Sequence, residues 1–352
     1  MVESEQVTMT HGAGGVVMAK LIEEYVLPYL GGFKAEVGLE VLDDAAVVNG
    51  IVFKSDSHAV RPVFFPGGDI GKLAISGTVN DIAVLGAEPL ALACGFVLEE
   101  GLPFRELKQV LSSMKAVCEQ AGVFVVTGDT KVVEKGKLGG LVVNVSGIGC
   151  RSKALDHNLA MVRKYRSSFD SRWILDRNLK AGDQIILSGT VGDHGLAVLS
   201  AQEGVAFGSS IKSDVKPLNH MITKAMEIGG IVSMKDPTRG GLANALNEWS
   251  EKSKVGILVH EDKIPIREDV KVASEMLGVD PLEVGNEGKI ILGVIREMAE
   301  DVLKAMKNTS EGRDAEVIGE ASNSLDLVAL KTLVGGKRIL PMPIGDPVPR
   351  IC

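Results

Sequence analysis

Apolar residues recur along the chain at two spacings, and these spacings predict alternating helices and strands. In residues 105–121 they fall at every third or fourth position, which predicts an amphipathic helix. Further helices are predicted at residues 71–86, near 195–203 and near 241–252. Continuous apolar runs predict strands at residues 51–55, 123–127, 141–148, 184–188 and 289–295. Helices and strands mixed in this way favour the α/β (α+β) class.

The chain length and a polar stretch in the middle predict two domains. A chain of 352 residues is long enough for two domains of roughly 150 residues each. We place an N-terminal domain at residues 1–150 and a C-terminal domain at residues 178–340. Residues 151–177 are predicted to be a basic linker or insertion, because 153–176 are polar and rich in lysine and arginine. A solvated hairpin or loop extension is the preferred interpretation of this segment, and a partner contact is the alternative.

The charge balance and the absence of long apolar runs exclude several classes. Lys and Arg number 38 against 46 Asp and Glu, a net charge of −8, whereas a nucleic-acid binder needs a clustered basic surface. No apolar run reaches the roughly 18 residues that cross a membrane, and the N-terminus lacks the pattern of a signal peptide. We therefore expect a cytoplasmic protein that binds neither nucleic acid nor membrane. The four cysteines form no CxxC pair and no zinc pattern.

Acidic residues lie where the predicted strands end, the place where α/β sheets bind ligands. Asp56 follows the strand 51–55, and Asp129 and Thr130 lie in a turn predicted at residues 128–131. A glycine-rich turn also follows the strand 184–188, and its amides could approach a phosphate closely. Each turn alone is more often an ordinary Gly-Asp turn.

Four further acids suggest a site for a hard cation. Asp43 and Asp44 precede an apolar run, Asp81 lies on the small-residue stripe of helix 71–86, and Asp236 opens the approach to helix 241–252. A carboxylate in such close packing is costly unless it is paired or binds a cation. Oxygen ligands of this kind suit Mg²⁺ bound with nucleotide phosphates. Each acid alone is more often an N-cap or a turn residue.

Glu287, in the segment GNEGK (285–289), could reach a reaction centre as a base, and a solvated turn is the alternative. The histidines His11 and His194 have no partners in the sequence that would complete a nucleophilic triad.

The last segment, residues 341–352, contains four prolines and ends in Cys352. Prolines at this density exclude a regular helix and favour an extended arm. Such an arm could carry the terminal thiol some 30 Å, at about 3.1 Å per residue. A frayed terminus is the alternative.

Taken together and in chain order, these segments resemble the HypE family of hydrogenase maturation proteins, in the aminoimidazole ribonucleotide (AIR) synthetase or PurM-like superfamily. The matching segments are HGAGG (11–15), LDDAAVV (42–48), FPGGDIGKLAISGTVNDIAVLGAEP (65–89), TGDTKVV (127–133), SGTVGDHG (188–195), DPTRGG (236–241), GNEGK (285–289) and PRIC (349–352). For this family, residues 153–176 are unusually long and basic.

The resemblance implies a PurM-like two-domain fold in a homodimer, in which the N-terminal domains pair into a β-barrel-like interface. It also implies an ATP and Mg²⁺ site between the domains, followed by an extended C-terminal tail. The residues implied for the nucleotide are Asp43, Asp44, Asp56, Lys72, Asp81, Asp129, Thr130 and Asn286. Those implied for the metal are Asp44, Asp56, Asp81 and Asp236, and those implied for catalysis are Cys352, Lys131 and Glu287.

The resemblance further implies an ATP-dependent carbamoyl dehydratase. A HypF-like carbamoyltransferase would load Cys352, Lys131 would stabilise phosphate charge or move a proton, and Glu287 would be the base. The resulting cyano group would pass to iron held by a HypC–HypD complex for a [NiFe]-hydrogenase.

Two rivals stay open from the sequence. One is another ATP-dependent member of the superfamily, such as a selenophosphate synthetase or a small-molecule kinase. The lack of a cysteine around HGAGG argues against the synthetase. The other is a non-enzymatic thiol carrier or scaffold, which would not hydrolyse ATP.

Overall fold

A computed structural model of the chain describes residues 6–204 and 211–345. Within them, the N-terminal half contains strands β1 Ala46–Val48, β2 Ile51–His58, β3 Phe64–Phe65, β4 Gly68–Asp69, β5 Ala87–Glu99, β6 Phe124–Val133 and β7 Leu141–Arg151. Its helices are α1 Gly15–Leu21, α2 Leu27–Leu30, α3 Ile70–Val84, α4 Phe104–Ala121 and α5 Lys153–Tyr165. A π-helical turn, Ile22–Val26, joins α1 to α2, and short 3₁₀ turns occur at Met9–Gly12 and Leu39–Val41.

The strands of this half form a five-stranded sheet in the order β1-β2-β7-β5-β6, with β3 and β4 paired separately. Neighbouring strands are antiparallel except β5 and β6, which are parallel. β6 is an edge strand, because none of the described strands pairs with its outer side. Its length of 10 residues makes this open edge long.

The two faces of the sheet have different surroundings. α3 packs on one face, where the paired positions Asp56 and Val145 lie and where Val145 is fully buried. Side chains alternate between the faces of a strand, so Phe53 of β2 and Ile148 of β7 point away from α3. These two apolar side chains are 48% and 39% exposed. We call the two sides the helix face and the open face.

α3 is buried along almost its whole length, because small side chains let it pack closely against the sheet. It begins at Asp69, whose carboxylate accepts hydrogen bonds from the amides of Gly71 and Lys72 at 2.8 and 3.0 Å. α4 covers α3 and presents buried residues such as Val110, Met114 and Val117 at helical spacing. It ends at Gly122, whose φ of 73° favours glycine.

The C-terminal half is a seven-stranded sheet in the order β14-β13-β10-β12-β8-β11-β9. Its strands are β8 Gln184–Leu187, β9 Ile231–Lys235, β10 Gly256–His260, β11 Ile291–Val294, β12 Glu316–Ser322, β13 Val328–Lys331 and β14 Lys337–Ile339. Its helices are α6 Asp193–Glu203, α7 Asn219–Ile228, α8 Gly241–Ser253, α9 Glu268–Leu277 and α10 Ala299–Lys307. Further 3₁₀ turns lie at Asp176–Asn178, Glu261–Lys263 and Arg296–Met298.

These elements confirm the predicted mixed α/β class and the predicted helices and strands, with three corrections. The turn expected at residues 128–131 does not form, because β6 continues through it to Val133. Asp56 lies inside β2 rather than after it, because β2 continues to His58. The domain limits 1–150 and 178–340 stay predictions.

The third correction concerns residues 153–176, which are neither a hairpin nor a loop extension. They begin with α5, whose residues Leu155, Leu159 and Val162 are fully buried. The Ser152 hydroxyl caps this helix by accepting a hydrogen bond from the Leu155 amide at 2.9 Å. The Lys and Arg side chains at 153, 163 and 164 lie on its exposed side.

The end of the described chain, residues 341–345, contains no regular secondary structure. Cys352 and the PRIC segment lie outside the described residues. Across the described ranges, every helix is too short or too polar to cross a membrane.

Candidate active site

Three carboxylates from distant parts of the chain meet at one point. Asp44 lies in the turn before β1, Asp81 lies on α3, and Asp236 directly follows β9. One ligand atom from each lies within 4.8 Å of the others. We call these residues the acidic triad. It lies between the two halves of the molecule, because the first two residues belong to the N-terminal half and the third to the C-terminal half.

The electrostatics of the acidic triad favour a bound cation. Burial, together with the charge of Asp44, raises the pKa of Asp236 to about 7. Burial also raises the pKa of Asp81 well above its usual range and outweighs the opposing effect of Lys54. The pKa of Asp44 is raised by burial as well, against the opposing charge of Lys235. A divalent cation would relieve this repulsion, and three carboxylate oxygens are the ligands that Mg²⁺ prefers. The residues present therefore fit the metal expected from the sequence.

Asp56 lies beside the acidic triad and is linked to it by Lys54. The Lys54 ammonium lies 2.8 Å from Asp81 Oδ2 and 3.2 Å from Asp56 Oδ1. Burial is the largest influence on the pKa of Asp56 and acts to raise it, but the charge of Lys54, a hydrogen bond with Asp81 and the charge of His58 together outweigh burial, so that the net shift is downward. Asp56 is therefore a carboxylate that already has a cationic partner. Sequence reasoning missed Lys54, although Lys54 and Asp56 alternate along one strand and so share a face.

A second set of buried charges holds Asp44 in place from the other side. The Lys235 ammonium lies 2.7 Å from Asp44 Oδ1, 3.2 Å from Asp176 Oδ2 and 3.1 Å from Glu248 Oε2. Trp249 donates its indole N–H to Asp176 Oδ1 at 2.7 Å. We call this set, with Asp43 and Lys252, the lysine network.

Asp43 belongs to the lysine network rather than to the acidic triad. Its carboxylate lies 3.4 Å from the Lys252 ammonium, which also contacts Asp176 at 2.7 Å. Burial and the nearby charge of Asp176 raise the pKa of Asp43 to about 8. The sequence did not reveal Lys235, Asp176 or Lys252, because the partners of these residues lie far away along the chain.

Asn286 and Glu287 border the acidic triad from the C-terminal half. The Asn286 side chain accepts a hydrogen bond from the Gly192 amide at 2.8 Å and donates to the carbonyls of Pro237 and Val284 at 3.3 and 3.1 Å. The side chain that we expected to bind nucleotide thus holds three backbone segments together.

Glu287 is a buried acid whose pKa is raised. Its side chain is 4% exposed, and burial together with the charge of Asp236 raises its pKa well above the usual range. Its Oε2 lies 3.9 Å from the position where a Cβ on Gly77 of α3 would be. Glu287 therefore faces α3, the helix that carries Asp81, and the ionised carboxylate of an acid with a raised pKa is a stronger base.

Lys72 lies in the first turn of α3, and its ammonium donates to the carbonyl of Gly67 at 3.1 Å. Burial lowers its pKa, while the charges of Asp69 and Asp214 oppose that shift.

Asp129, Thr130 and Lys131 do not join the acidic triad within one chain. The register runs from Asp56 through Val145 and Cys94 to Gly128, which is three strand spacings or about 14 Å across the sheet. Asp129 and Lys131 alternate with Gly128 and so lie on the open face. The three residues are exposed on the edge strand β6.

This chain is similar to a known protein family, to named relatives and to solved structures. The family described as AIR synthase related protein matches with its N-terminal domain at residues 42–150 and its C-terminal domain at residues 180–329. A protein of Methanocaldococcus jannaschii, named for hydrogenase expression and formation, is 44% identical over 99% of this chain and 100% of its own length. The carbamoyl dehydratase HypE of Escherichia coli is 38% identical over 98% of this chain and 99% of its own length.

Solved structures of HypE proteins are also similar to this chain. The crystal structure of a HypE–HypF complex aligns with a TM-score of 0.83 at 43% identity, over 92% of this chain and 99% of that chain. A structure of HypE in complex with ATP aligns with a TM-score of 0.79 at 37% identity, over 99% and 100%. The thiamine monophosphate kinase of Aquifex aeolicus, at 18% identity and a TM-score of 0.59 over 86% and 93%, shares the fold alone.

Proposed function

This chain belongs to the HypE family of carbamoyl dehydratases, hydrogenase maturation proteins built on the AIR synthase-related fold, and we propose how its own residues carry the reaction. Cys352 is the carrier, and ATP drives the conversion of a carbamoyl group on its sulfur into a cyano group. The observation that carries this proposal is the acidic triad beside the buried Glu287, in a chain that aligns with a carbamoyl dehydratase over nearly the full length of both proteins.

The proposed reaction has two steps, phosphorylation of the carbamoyl oxygen and then loss of phosphate. The carbamoyl oxygen on the Cys352 sulfur attacks the γ-phosphoryl group of ATP, and ADP leaves. The bond between carbon and the phosphorylated oxygen then breaks, so that this oxygen departs with phosphate. The nitrogen loses both protons, of which one ends on phosphate and one is released, and S–C≡N results. The elements of one water are thereby removed at the cost of one ATP.

The residues of the site divide this work between them. Asp44, Asp81 and Asp236 would hold Mg²⁺, which neutralises phosphate charge when it is bound. Lys54 keeps Asp81 and Asp56 oriented through ion pairs at 2.8 and 3.2 Å. Glu287 in its ionised form accepts a proton from the nitrogen, because the raised pKa makes its carboxylate a stronger base. Asn286, next to Glu287, links its own segment to Gly192 and to Pro237, the residue after Asp236, through its three hydrogen bonds.

A homodimer completes this site. The open face exposes apolar side chains such as Phe53, Leu90 and Ile148, and β6 offers an unpaired edge, so a second copy covers both. Pairing of two such sheets gives the barrel-like interface that the family resemblance implies. Lys131 and Asp129 lie on the open face, and they serve the site of the partner protomer rather than that of their own chain.

The family resemblance implies the partners of this reaction. A HypF-like carbamoyltransferase loads Cys352, in keeping with the solved HypE–HypF complex of a relative. A HypC–HypD complex receives the cyano group on iron destined for a [NiFe]-hydrogenase, and the exchange takes place in the cytoplasm.

The test is the mass of the C-terminal peptide after incubation with a carbamoyltransferase and carbamoyl phosphate, before and after addition of Mg·ATP. We expect a gain of one carbamoyl group on Cys352, followed by an ATP-dependent loss of one water. A chain whose Cys352 is loaded but never loses water with ATP would be a thiol carrier and not the enzyme. A chain that consumes ATP without any change at Cys352 would point to another small substrate.

A further inference from the structure

The glycine-rich turn HGAGG, at residues 11–15, contacts the beginning of the C-terminal tail. The amides of Val16 and Val17 donate to the carbonyls of Pro343 and Ile344 at 3.1 and 3.5 Å. These amides belong to the first turn of α1 and therefore have no acceptor within the helix. The tail carbonyls satisfy them, and the positive end of the helix favours such oxygens.

The glycines of the turn allow this contact because a side chain would not fit. A Cβ on Gly15 would lie 2.1 Å from the carbonyl oxygen of Pro343, and the φ of Gly15 is 66°, where side chains are strained. On the tail side, a Cβ on Gly345 would lie 3.0 Å from Thr10 Cγ2. Gly12 is different, because nothing lies within 4 Å of its Cβ position and its φ is ordinary.

The same turn also contacts the loop that carries a triad residue. A Cβ on Gly14 would lie 2.9 Å from Arg239 Cβ and 3.1 Å from the Arg239 carbonyl carbon. Arg239 lies three residues after Asp236, and the carbonyl of Pro237 in this loop accepts from Asn286. The turn is therefore packed between the tail and the candidate active site.

We propose that the HGAGG turn is an anchor that fixes the pivot of the tail next to the active site. The inference rests on the proposed function, in which Cys352 must return to this site. With the anchor in place, seven residues (352 − 345 = 7) follow Gly345, and they span at most ~25 Å. Without it, the next fixed point is Leu340, which is buried and bonded to Val328 and Asn247. Twelve residues (352 − 340 = 12) would then be free.

The anchor increases the concentration of Cys352 at the site by shortening its tether. The effective concentration of a tethered group falls as about the −3/2 power of tether length once the tether is longer than the span. Lengthening the tether from seven to twelve residues therefore lowers the rate of the tail-dependent step at least ~2-fold. The residues proposed for the nucleotide lie outside the tail, so ATP binding is not expected to change. Gly15 and Gly345 are thus positioning residues, which act through the place of the tail.

The test compares full-length Gly15→Ala and Gly345→Leu with wild type and with Gly12→Ala as the matched control. Two variants are needed because Gly15→Ala changes the HGAGG turn, whereas Gly345→Leu changes only the tail. Hydrogen exchange of the peptide that contains Val16 and Val17 reports the anchor directly. We expect faster exchange in both variants and no change in the control.

The second measurement is single-turnover loss of water from carbamoylated Cys352, beside binding of a non-hydrolysable ATP analogue. We expect both variants to react at least ~2-fold more slowly with unchanged analogue binding, and Gly12→Ala to match wild type. Wild-type exchange rates in both variants, or faster exchange with an unchanged reaction rate, would overturn the anchor. If the wild-type chain never loses water, the proposed function is wrong. The exchange data would then still test whether the HGAGG turn contacts the tail.

Discussion

The candidate functional residues on the two faces of the N-terminal sheet differ in burial and in surroundings. On the helix face, Asp81 of α3 is buried, Asp56 and Lys54 of β2 are partly buried, and Lys54 forms ion pairs with both acids. On the open face, Asp129 and Lys131 lie exposed on an edge strand with no described strand beyond it. The acidic triad is formed within one chain, whereas the proposed role of the open face needs a second surface. In the proposed dimer, residues that are separated by the sheet in one chain would meet across two chains.

The largest expected effect comes from breaking the lysine network that supports the helix face. Lys235→Met leaves Asp44 and Asp176 without their shared cation, and removal of one partner from a buried ion pair costs about 3–5 kcal/mol of unfolding free energy. Urea denaturation would measure the loss. The control is Lys115→Met, because Lys115 forms an exposed pair with Glu119 at 3.7 Å and is worth about 0.5 kcal/mol or less. Equal losses in the two variants would mean that the network does not stabilise the fold.

The next effect tests the chemistry of the helix face. Asp81→Asn removes one carboxylate from the acidic triad, and we expect the ATP-dependent step at Cys352 to slow by about 10²-fold or more, the range for loss of one electrostatic stabiliser. Single-turnover mass spectrometry measures the rate, and titration with Mg²⁺ should show weaker binding. Asp326→Asn makes the same change at an exposed position and should react like wild type. An unaltered rate in Asp81→Asn would remove the acidic triad from the mechanism.

A third prediction asks whether the open face serves the partner protomer. Lys131→Met and Asp81→Asn should each be nearly inactive alone. Co-expression in equal amounts makes half of the dimers mixed, and one of the two sites in each mixed dimer then carries neither change. About a quarter of the wild-type activity should return, by the arithmetic of a symmetric dimer. No recovery in purified mixed dimers would assign Lys131 to the site of its own chain.

The smallest effect concerns the apolar contacts of the open face. Phe53 is 48% exposed, and its burial in a dimer contributes about 1–2 kcal/mol per protomer on the scale for large apolar side chains. Phe53→Ser should therefore weaken dimerisation roughly tenfold or more, as measured by analytical ultracentrifugation over a range of concentrations. Phe104→Ser, at an 87% exposed position on α4 away from this sheet, is the control. If both variants dimerise like wild type, the open face is not the interface.

Sequence patterns predicted the main helices and strands because the spacing of apolar and small residues in these segments matches the faces that they bury. The spacing of Val110, Met114 and Val117 predicted α4, and the small residues before Asp81 predicted the buried α3. The same patterns missed α5, because its exposed lysines and arginines masked the buried positions Leu155 and Leu159. They also predicted a turn inside β6, because Gly-Asp-Thr is a common turn sequence.

The candidate site was predictable only in part. Asp44, Asp81 and Asp236 could be selected because acids at strand ends and in close packing need a partner or a cation. Their cationic neighbours could not be selected, since Lys235 meets Asp44 across 191 positions of sequence. The separation of Lys131 from Asp56 also could not be predicted, because it depends on strand order and register. Neither can be obtained from the spacing within a single strand.

The open edge of β6 has a further consequence for the newly made chain. As a single copy, the chain displays a ten-residue strand with the exposed side chains Phe124, Val125 and Val126. Such edges pair with other chains and begin aggregates. Asp129 and Lys131, which interrupt the apolar run with opposite charges, then act as gatekeepers against that outcome. The same two residues would protect the single chain from aggregation and serve the active site in the proposed dimer. Their replacement is therefore expected to lower the yield of folded protein as well as its activity.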